Sequence, residues 1–113
     1  MITGATTGLG LRVATFLALK HGYHVILACR DLEKAKTTAE ILCKRTDAEE
    51  ETTVLPKGRA TAVKLDLAVW SSVRECANEV LALLDGSGLH LLVCNAAVVP
   101  AAYAKTADGV EET

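Results

Sequence analysis

"TGATTGLG", residues 3–10, puts three glycines into eight positions at the start of the chain. Glycine belongs where the backbone takes a positive φ or where another group must come close to it. Reading outward, Leu9, Val13, Phe16 and Leu17 recur with helical spacing, and Gly22 stands where that helix should stop. On the other side stand only Met1, Ile2 and Thr3, whereas a core strand usually has about five residues. The chain is therefore expected to begin inside a strand, and the glycines to form the turn from that strand into a helix.

The same alternation continues. "YHVILAC", 23–29, is a short apolar run with β-branched residues and reads as a strand covered on both faces. Asp31 is placed to cap a second helix, with Leu32, Ala35, Ala39 and Leu42 on one side. Residues 46–59, "TDAEEETTVLPKGR", hold four acids, a proline and a glycine and read as a surface loop insertion. "ATAVKLD", 60–66, is a third strand. Ser72-x-x-Glu75 has the form of a capping box for a helix carrying Val73, Cys76, Ala77, Val80, Leu83 and Leu84. "DGSG", 85–88, closes that helix, and "LHLLVC", 89–94, reads as a fourth buried strand. Beyond Pro100, "TADGVEET" reads as a turn leading into a helix that the chain does not complete. Strand and helix alternating in this way predict right-handed parallel crossovers. The expected architecture is α/β, the first half of a Rossmann-type doubly wound parallel sheet with about four strands. Residues 1–113 form a single nucleotide-binding segment, expected to be truncated at both ends, with no internal linker.

The totals exclude several functions. Twelve basic and fourteen acidic residues leave a net charge of −2, which gives no basic field for nucleic acid or anionic lipid. The aromatic residues are Phe16, Tyr23, Trp70 and Tyr103, too sparse a set for base stacking. No apolar run is long enough to cross a bilayer. Cys29, Cys43, Cys76 and Cys94 include no C-x-x-C pair, and each lies in an apolar stretch. They read as reduced core cysteines, which suits the cytoplasm or another reducing compartment. No metal site is expected, because Gly22 breaks the helix that would align His21 with His24, and His90 stands alone.

A strand-to-helix turn exposes unpaired helix N–H groups with partial positive charge, a setting that favours phosphate. Gly4 would allow the tight turn, Gly8 the approach of a pyrophosphate, and Gly10 close packing of helix on sheet. These are the roles of a dinucleotide-binding fingerprint, here spaced G-x-x-x-G-x-G. No Gly-Lys-Ser/Thr follows, which excludes a Walker-type loop. The second strand ends in "ACRD", with Cys29 near the position where an acid would receive the ribose 2′-hydroxyl of NAD. Arg30 follows, and a guanidinium pairs with the 2′-phosphate of NADP. The reading is NADP(H) over NAD(H); the alternative is a solvated arginine at a strand end.

Together "TGATTGLG", "HVILACR", "LDLA" and "LHLLVCNAA" resemble the short-chain dehydrogenase/reductases, in the right order along nearly the whole chain. The resemblance implies that Gly4, Thr6, Thr7, Gly8, Leu9 and Gly10 belong to a T-G-x-x-x-G-x-G coenzyme loop. It implies that Asp66 and Leu67 meet the adenine ring, and that Asn95, Ala96 and Ala97 form the tail of an N-N-A-G motif. Cys94 and Ala97 depart from that motif's first asparagine and its glycine. "TADGVEET" and "HGYHVILACRDLEKA" are most similar to the retinol-dehydrogenase-like branch and the oxidoreductase domain of WW-domain-containing oxidoreductases. Light-dependent protochlorophyllide reductases carry a similar "VCNAAV" and "TADG".

The family implies hydride transfer between nicotinamide and a carbonyl or alcohol substrate, retinoid-like or steroid-like, with a proton moved at the oxygen. The residues that move it, a tyrosine with a lysine four positions on, a serine and an asparagine, cannot be assigned here. Tyr103 is followed by Lys105, which is the wrong spacing, and reads as a loop residue. The expectation is the coenzyme-binding part of an oxidoreductase, with a small-molecule substrate, no nucleic-acid partner and room for a homo-oligomer. A non-catalytic nucleotide-binding or interaction module is the alternative.

Overall fold

The computed structural model describes residues 1–48 and 57–112. The elements follow in the order β1 (Ile2–Thr3), α1 (Gly8–His21), β2 (His24–Cys29), α2 (Leu32–Ala48), β3 (Arg59–Lys64) and α3 (Trp70–Leu84). The strands form one parallel sheet in the order β1-β2-β3, with Ile2 opposite Leu27 and Val25 opposite Ala60.

β2 organises the core because its side chains alternate between two apolar layers. Val25, Leu27 and Cys29 pack with Ala14, Ala18, Ala35, Ala39 and Leu42, which belong to α1 and α2. Ile26 and Ala28 pack with Val63, Leu65, Cys76 and Val80, so α3 covers the other face. Helices on both faces of a parallel sheet make this the Rossmann-type arrangement expected from the sequence. Burial, and then the nearby Glu79, push the Cys76 thiol up, so it stays protonated as a core residue.

Local signals set several boundaries as read. Gly22 ends α1 in the left-handed conformation (φ 66°), and the Tyr23 amide closes the turn on the Leu17 carbonyl at 3.1 Å. Asp31 caps α2, its carboxylate accepting from the Lys34 amide at 3.0 Å.

Other expectations are corrected. α1 forms where Leu9, Val13, Phe16 and Leu17 recur with helical spacing, yet it leaves Leu9, Val13 and Phe16 exposed. Its inner face is Gly10, Ala14 and Ala18, with Leu17 beside them, because small residues let the helix lie close on the sheet. The loop insertion does not begin at residue 46, since α2 runs to Ala48 and Thr46 is buried, its hydroxyl donating to the Cys43 carbonyl at 2.7 Å. Residues 49–56 of that expected loop lie outside the described residues. Gly58, read as part of that surface loop, is buried. A Cβ there would stand 2.1 Å from the Ala18 carbonyl oxygen, so the start of β3 presses on α1 where only glycine fits.

Ser72 is not the cap of α3. That helix begins at Trp70 after Val69, and the Ser72 hydroxyl instead accepts from the Asp66 amide at 2.9 Å. Residues 89–94 do not form a buried strand. Val93 alone bridges to Ile2, and Leu89, Leu91 and Leu92 are exposed. Among the described residues no element covers these leucines. Cys94 is exposed and Cys43 half-buried, its thiol against the Ala60 backbone, so only Cys29 and Cys76 are core cysteines. From Thr106 to Glu112 the described residues form the expected turn but no helix. The turn is tight, with an antiparallel bridge between Lys105 and Glu111, closed by Thr106 N–H on the Val110 carbonyl at 2.8 Å.

Candidate functional site

Three parallel strands bring their carboxyl ends to one edge of the sheet, where open α/β sheets receive ligands. Gly4–Gly10 follow β1 there, Arg30 follows β2, and Asp66 and Leu67 come just after β3. Asn95, Ala96 and Ala97 follow the extended segment that bridges to β1.

Thr3 joins two of these stretches. It is buried, and its hydroxyl oxygen accepts from the amides of Asn95 and Ala96, each at 3.0 Å. The Asn95 side-chain amide donates back to the carbonyls of Thr3 at 3.0 Å and Gly4 at 3.3 Å. These bonds satisfy polar groups that would otherwise be costly next to the core. They also bring the end of the extended segment against the glycine turn.

The three glycines serve different needs. At Gly4 (φ +65°) a Cβ would lie 3.0 Å from the Ala96 Cα, and at Gly10 it would lie 2.5 Å from the Asn95 side-chain nitrogen. Both are filled from within the protein. Gly8 also has a positive φ (+54°), yet a Cβ there would meet no atom within 4 Å. Gly8 therefore leaves an open surface at the first residue of α1. The preceding Thr7 is extended and exposed, with no side-chain cap bond, and the first turn of α1 carries no acidic residue. The free N–H groups and partial positive charge of that turn are thus met by no local carboxylate. Thr6 is half-buried beside it, and Leu9 stands out into solvent.

At the end of β2 Arg30 is exposed while Cys29 is buried. The Lys64 ammonium donates to the Arg30 carbonyl. Asp31 is engaged in capping α2 and does not neutralise its neighbour through a described ion pair. After β3, Asp66 is half-buried, its carboxylate accepting from the Ala68 amide at 3.0 Å, and Leu67 is exposed.

Direct contacts thus unite Gly4, Gly10, Asn95 and Ala96. Arg30 and Asp66 stand at neighbouring strand ends, and among the described residues no hydrogen bond ties their side chains to the glycine turn. Ala97 is exposed. Sequence reasoning assigned no role to the Thr3 hydroxyl, although a threonine ending an apolar strand must find a partner for it. It also passed over Ser72 as a support for Asp66, and over Lys64 and Asp108, whose contacts are distant in the chain and leave no local signal.

The opposite edge of the sheet differs. An open cavity of about 520 Å³, lined among others by Leu17, His21, Tyr23, His24 and Leu91, lies at the amino ends of the strands and takes in none of the candidate coenzyme-site residues. His21 packs edge-on against Phe16 with ring centres 4.8 Å apart, and His24 Nε2 pairs with the Thr61 hydroxyl at 2.8 Å. Burial, then Arg59 and the chain terminus, hold His24 below its ordinary value of 6.5. Among the described residues no group of three or more His, Cys, Asp or Glu is placed to hold a metal. No described helix is long and apolar enough to cross a membrane.

The family model for short chain dehydrogenase matches residues 1–113. The chain belongs to the short-chain dehydrogenase family. The chain is 39% identical over 113 residues to the WW domain-containing oxidoreductase of Danio rerio, covering 100% of this chain and 24% of that protein. It is 40% identical over 111 residues to retinol dehydrogenase 11 of Mus musculus, covering 98% of this chain and 31% of that one. It therefore falls in the retinol-dehydrogenase-like and WW-domain-containing-oxidoreductase-like branch, and spans less than a third of these curated relatives. A crystal structure of a metagenomic short-chain oxidoreductase in complex with NADP matches it with a TM-score of 0.67 and 28% identity, over 86% of this chain and 38% of that one.

Proposed function

We propose that this chain is the coenzyme-binding part of an NADP(H)-dependent oxidoreductase acting between a carbonyl and an alcohol. The observation that carries the reading is Gly8. Of the three glycines in the first turn, it alone opens to empty surroundings, at the N-terminus of a helix with no acid in its first turn. That cradle fits a diphosphate: bare backbone N–H groups can approach it, and no side chain stands in the way.

In this reading the first-turn amides of α1 hold the diphosphate, and Thr6, Thr7 and Leu9 shape the rim of the turn. Arg30 receives the ribose 2′-phosphate, where a guanidinium gives charge-assisted bonds that an acid in its place would repel. Asp66 and Leu67 border the adenine, and Asn95, Ala96 and Ala97 form the wall beyond Gly4. When bound, the nicotinamide supplies or accepts the hydride. These 113 residues contain no Tyr-x-x-x-Lys pair, so their part is to bind and orient rather than to move the substrate proton. A lipophilic, retinoid-like substrate is favoured by the likeness to a retinol dehydrogenase.

Titration calorimetry of NADPH and NADH into the full-length protein tests the reading. NADPH should bind more tightly. Arg30→Asp should cut the preference by about tenfold or more, the scale of a lost charge-assisted bond. Gly8→Val should abolish binding of both coenzymes, by filling the approach and forcing a β-branched residue to positive φ. Unchanged affinity in Gly8→Val would refute the site.

A further inference from the structure

The N-terminus of α3 has no cap of its own. Val69 precedes it and contributes no side-chain bond, and the first turn contains no acid. The amide of Trp70 instead donates to the Asp108 carboxylate at 2.7 Å, across 38 positions of sequence. Such a bond does for a tertiary partner what an N-cap residue normally does locally, and the negative charge also suits the helix dipole.

Asp108 is held ready for this. It sits in the turn from Thr106 to Val110, where the Gly109 amide donates to the Thr106 carbonyl at 3.0 Å and the Val110 amide to the Thr106 hydroxyl at 3.3 Å. Gly109 takes φ +79°, a conformation glycine adopts without strain. The Glu112 amide closes the base on the Ala104 carbonyl at 3.1 Å.

The residues just before Trp70 form the other half of the argument. The Val69 amide donates to the Asp66 carbonyl at 3.2 Å, the Ala68 amide to the Asp66 carboxylate, and the Asp66 amide to Ser72. Asp66–Val69 is therefore one cross-braced turn, anchored at its far end by α3. The chain leaves Ala97 and returns through Asp108 to that anchor. One hydrogen bond thus links the stretch after Asn95–Ala97 to the turn that carries Asp66 and Leu67.

We propose that Asp108 is a positioning residue for the adenine end of the coenzyme site, holding the Asp66–Val69 turn through the first amide of α3. The inference rests on the coenzyme reading given above and deepens it. It assigns Asp108 no contact with the coenzyme.

The test uses the full-length protein and three ligands: NADPH, ADP, which carries the adenosine and diphosphate without the nicotinamide half, and reduced nicotinamide mononucleotide. Asp108→Ala should raise Kd for ADP and NADPH by the same factor, about five-fold, the size expected for one lost cap. It should leave the mononucleotide unchanged. Asp108→Asn, which keeps a short acceptor at the same reach, should bind like the parent, whereas Asp108→Glu should behave like the alanine variant. If the alanine variant does not fold, the Asn and Glu pair decides the matter. Equal affinity for ADP in the parent and in Asp108→Glu, or an equal loss for ADP and the mononucleotide, overturns the role of Asp108. A parent protein that binds ADP, and loses it on Gly8→Val, upholds the coenzyme reading whatever Asp108 does. A parent that binds neither ADP nor NADPH overturns both.

Discussion

"HVILAC", residues 24–29, and "LHLLVC", residues 89–94, are nearly interchangeable as strings, yet the fold treats them as opposites. The first is β2, hydrogen-bonded on both sides and buried on both faces from Val25 to Cys29. The second forms one β-bridge, at Val93, and leaves Leu92 half exposed to solvent at 51%. An apolar run records what a segment can bury. Whether it does so depends on a helix to cover each face, and among the described residues no element covers Leu89, Leu91 and Leu92.

The sharpest way to break this contrast is to shave one leucine from each run. Leu27 is fully buried, and Leu27→Ala should cost about 2–5 kcal/mol, the range for deleting a core leucine. Leu92→Ala should stay within about 0.5 kcal/mol, as surface changes do. Urea unfolding followed by circular dichroism compares them, and equal losses would mean that the second run is buried after all.

Next in size is the tie that holds the end of the second run against β1. Thr3→Val preserves shape but leaves the Asn95 and Ala96 amides without their acceptor, and should cost about 1–3 kcal/mol. Thr3→Ser should restore the bonds. Amide exchange at Asn95 and Ala96 should accelerate in the valine variant and not in the serine one.

A comparable loss, about 1–3 kcal/mol for overpacking, is expected for Gly58→Ala, because the added methyl would meet the Ala18 backbone. Gly88→Ala, in the turn before residues 89–94, meets nothing and should be tolerated. A neutral Gly58→Ala would show that the packing of β3 on α1 is looser than the 2.1 Å approach implies.

The smallest effect is at the first residue of β2. The folded protein holds His24 below 6.5, so the unfolded chain binds that proton more readily. Stability is therefore expected to decline as pH falls through 6.5 toward the lower folded value, and to level off below it. His24→Gln should flatten that decline in thermal melts at pH 7.5 and near 5, and an unaltered slope would point to other groups.

Much of the site was legible in the sequence because its signals are local. A glycine that turns the backbone, an aspartate that caps the next helix and an arginine that follows a strand can all be read within a few residues. On α1 the apolar period marks the helix but not its buried face, for a physical reason. Large apolar residues usually mark the buried face, but here the helix lies so close to the sheet that only Gly10, Ala14 and Ala18 fit. Ser72 looked like a cap because Ser-x-x-Glu is a local pattern; in the fold it serves the Asp66 amide, and a residue 38 positions away caps the helix.

From its sequence alone this protein was bound to alternate strand and helix, to turn through glycine after its first strand, and to set a cation after its second. Period, turn chemistry and backbone freedom act between near neighbours, so the order of residues suffices to specify them. Tertiary structure alone decided which apolar run is core, which glycine faces open space and which carboxylate caps α3. Those outcomes depend on what arrives from elsewhere in the chain, and burial and hydrogen bonding are settled only once the distant partner is in place.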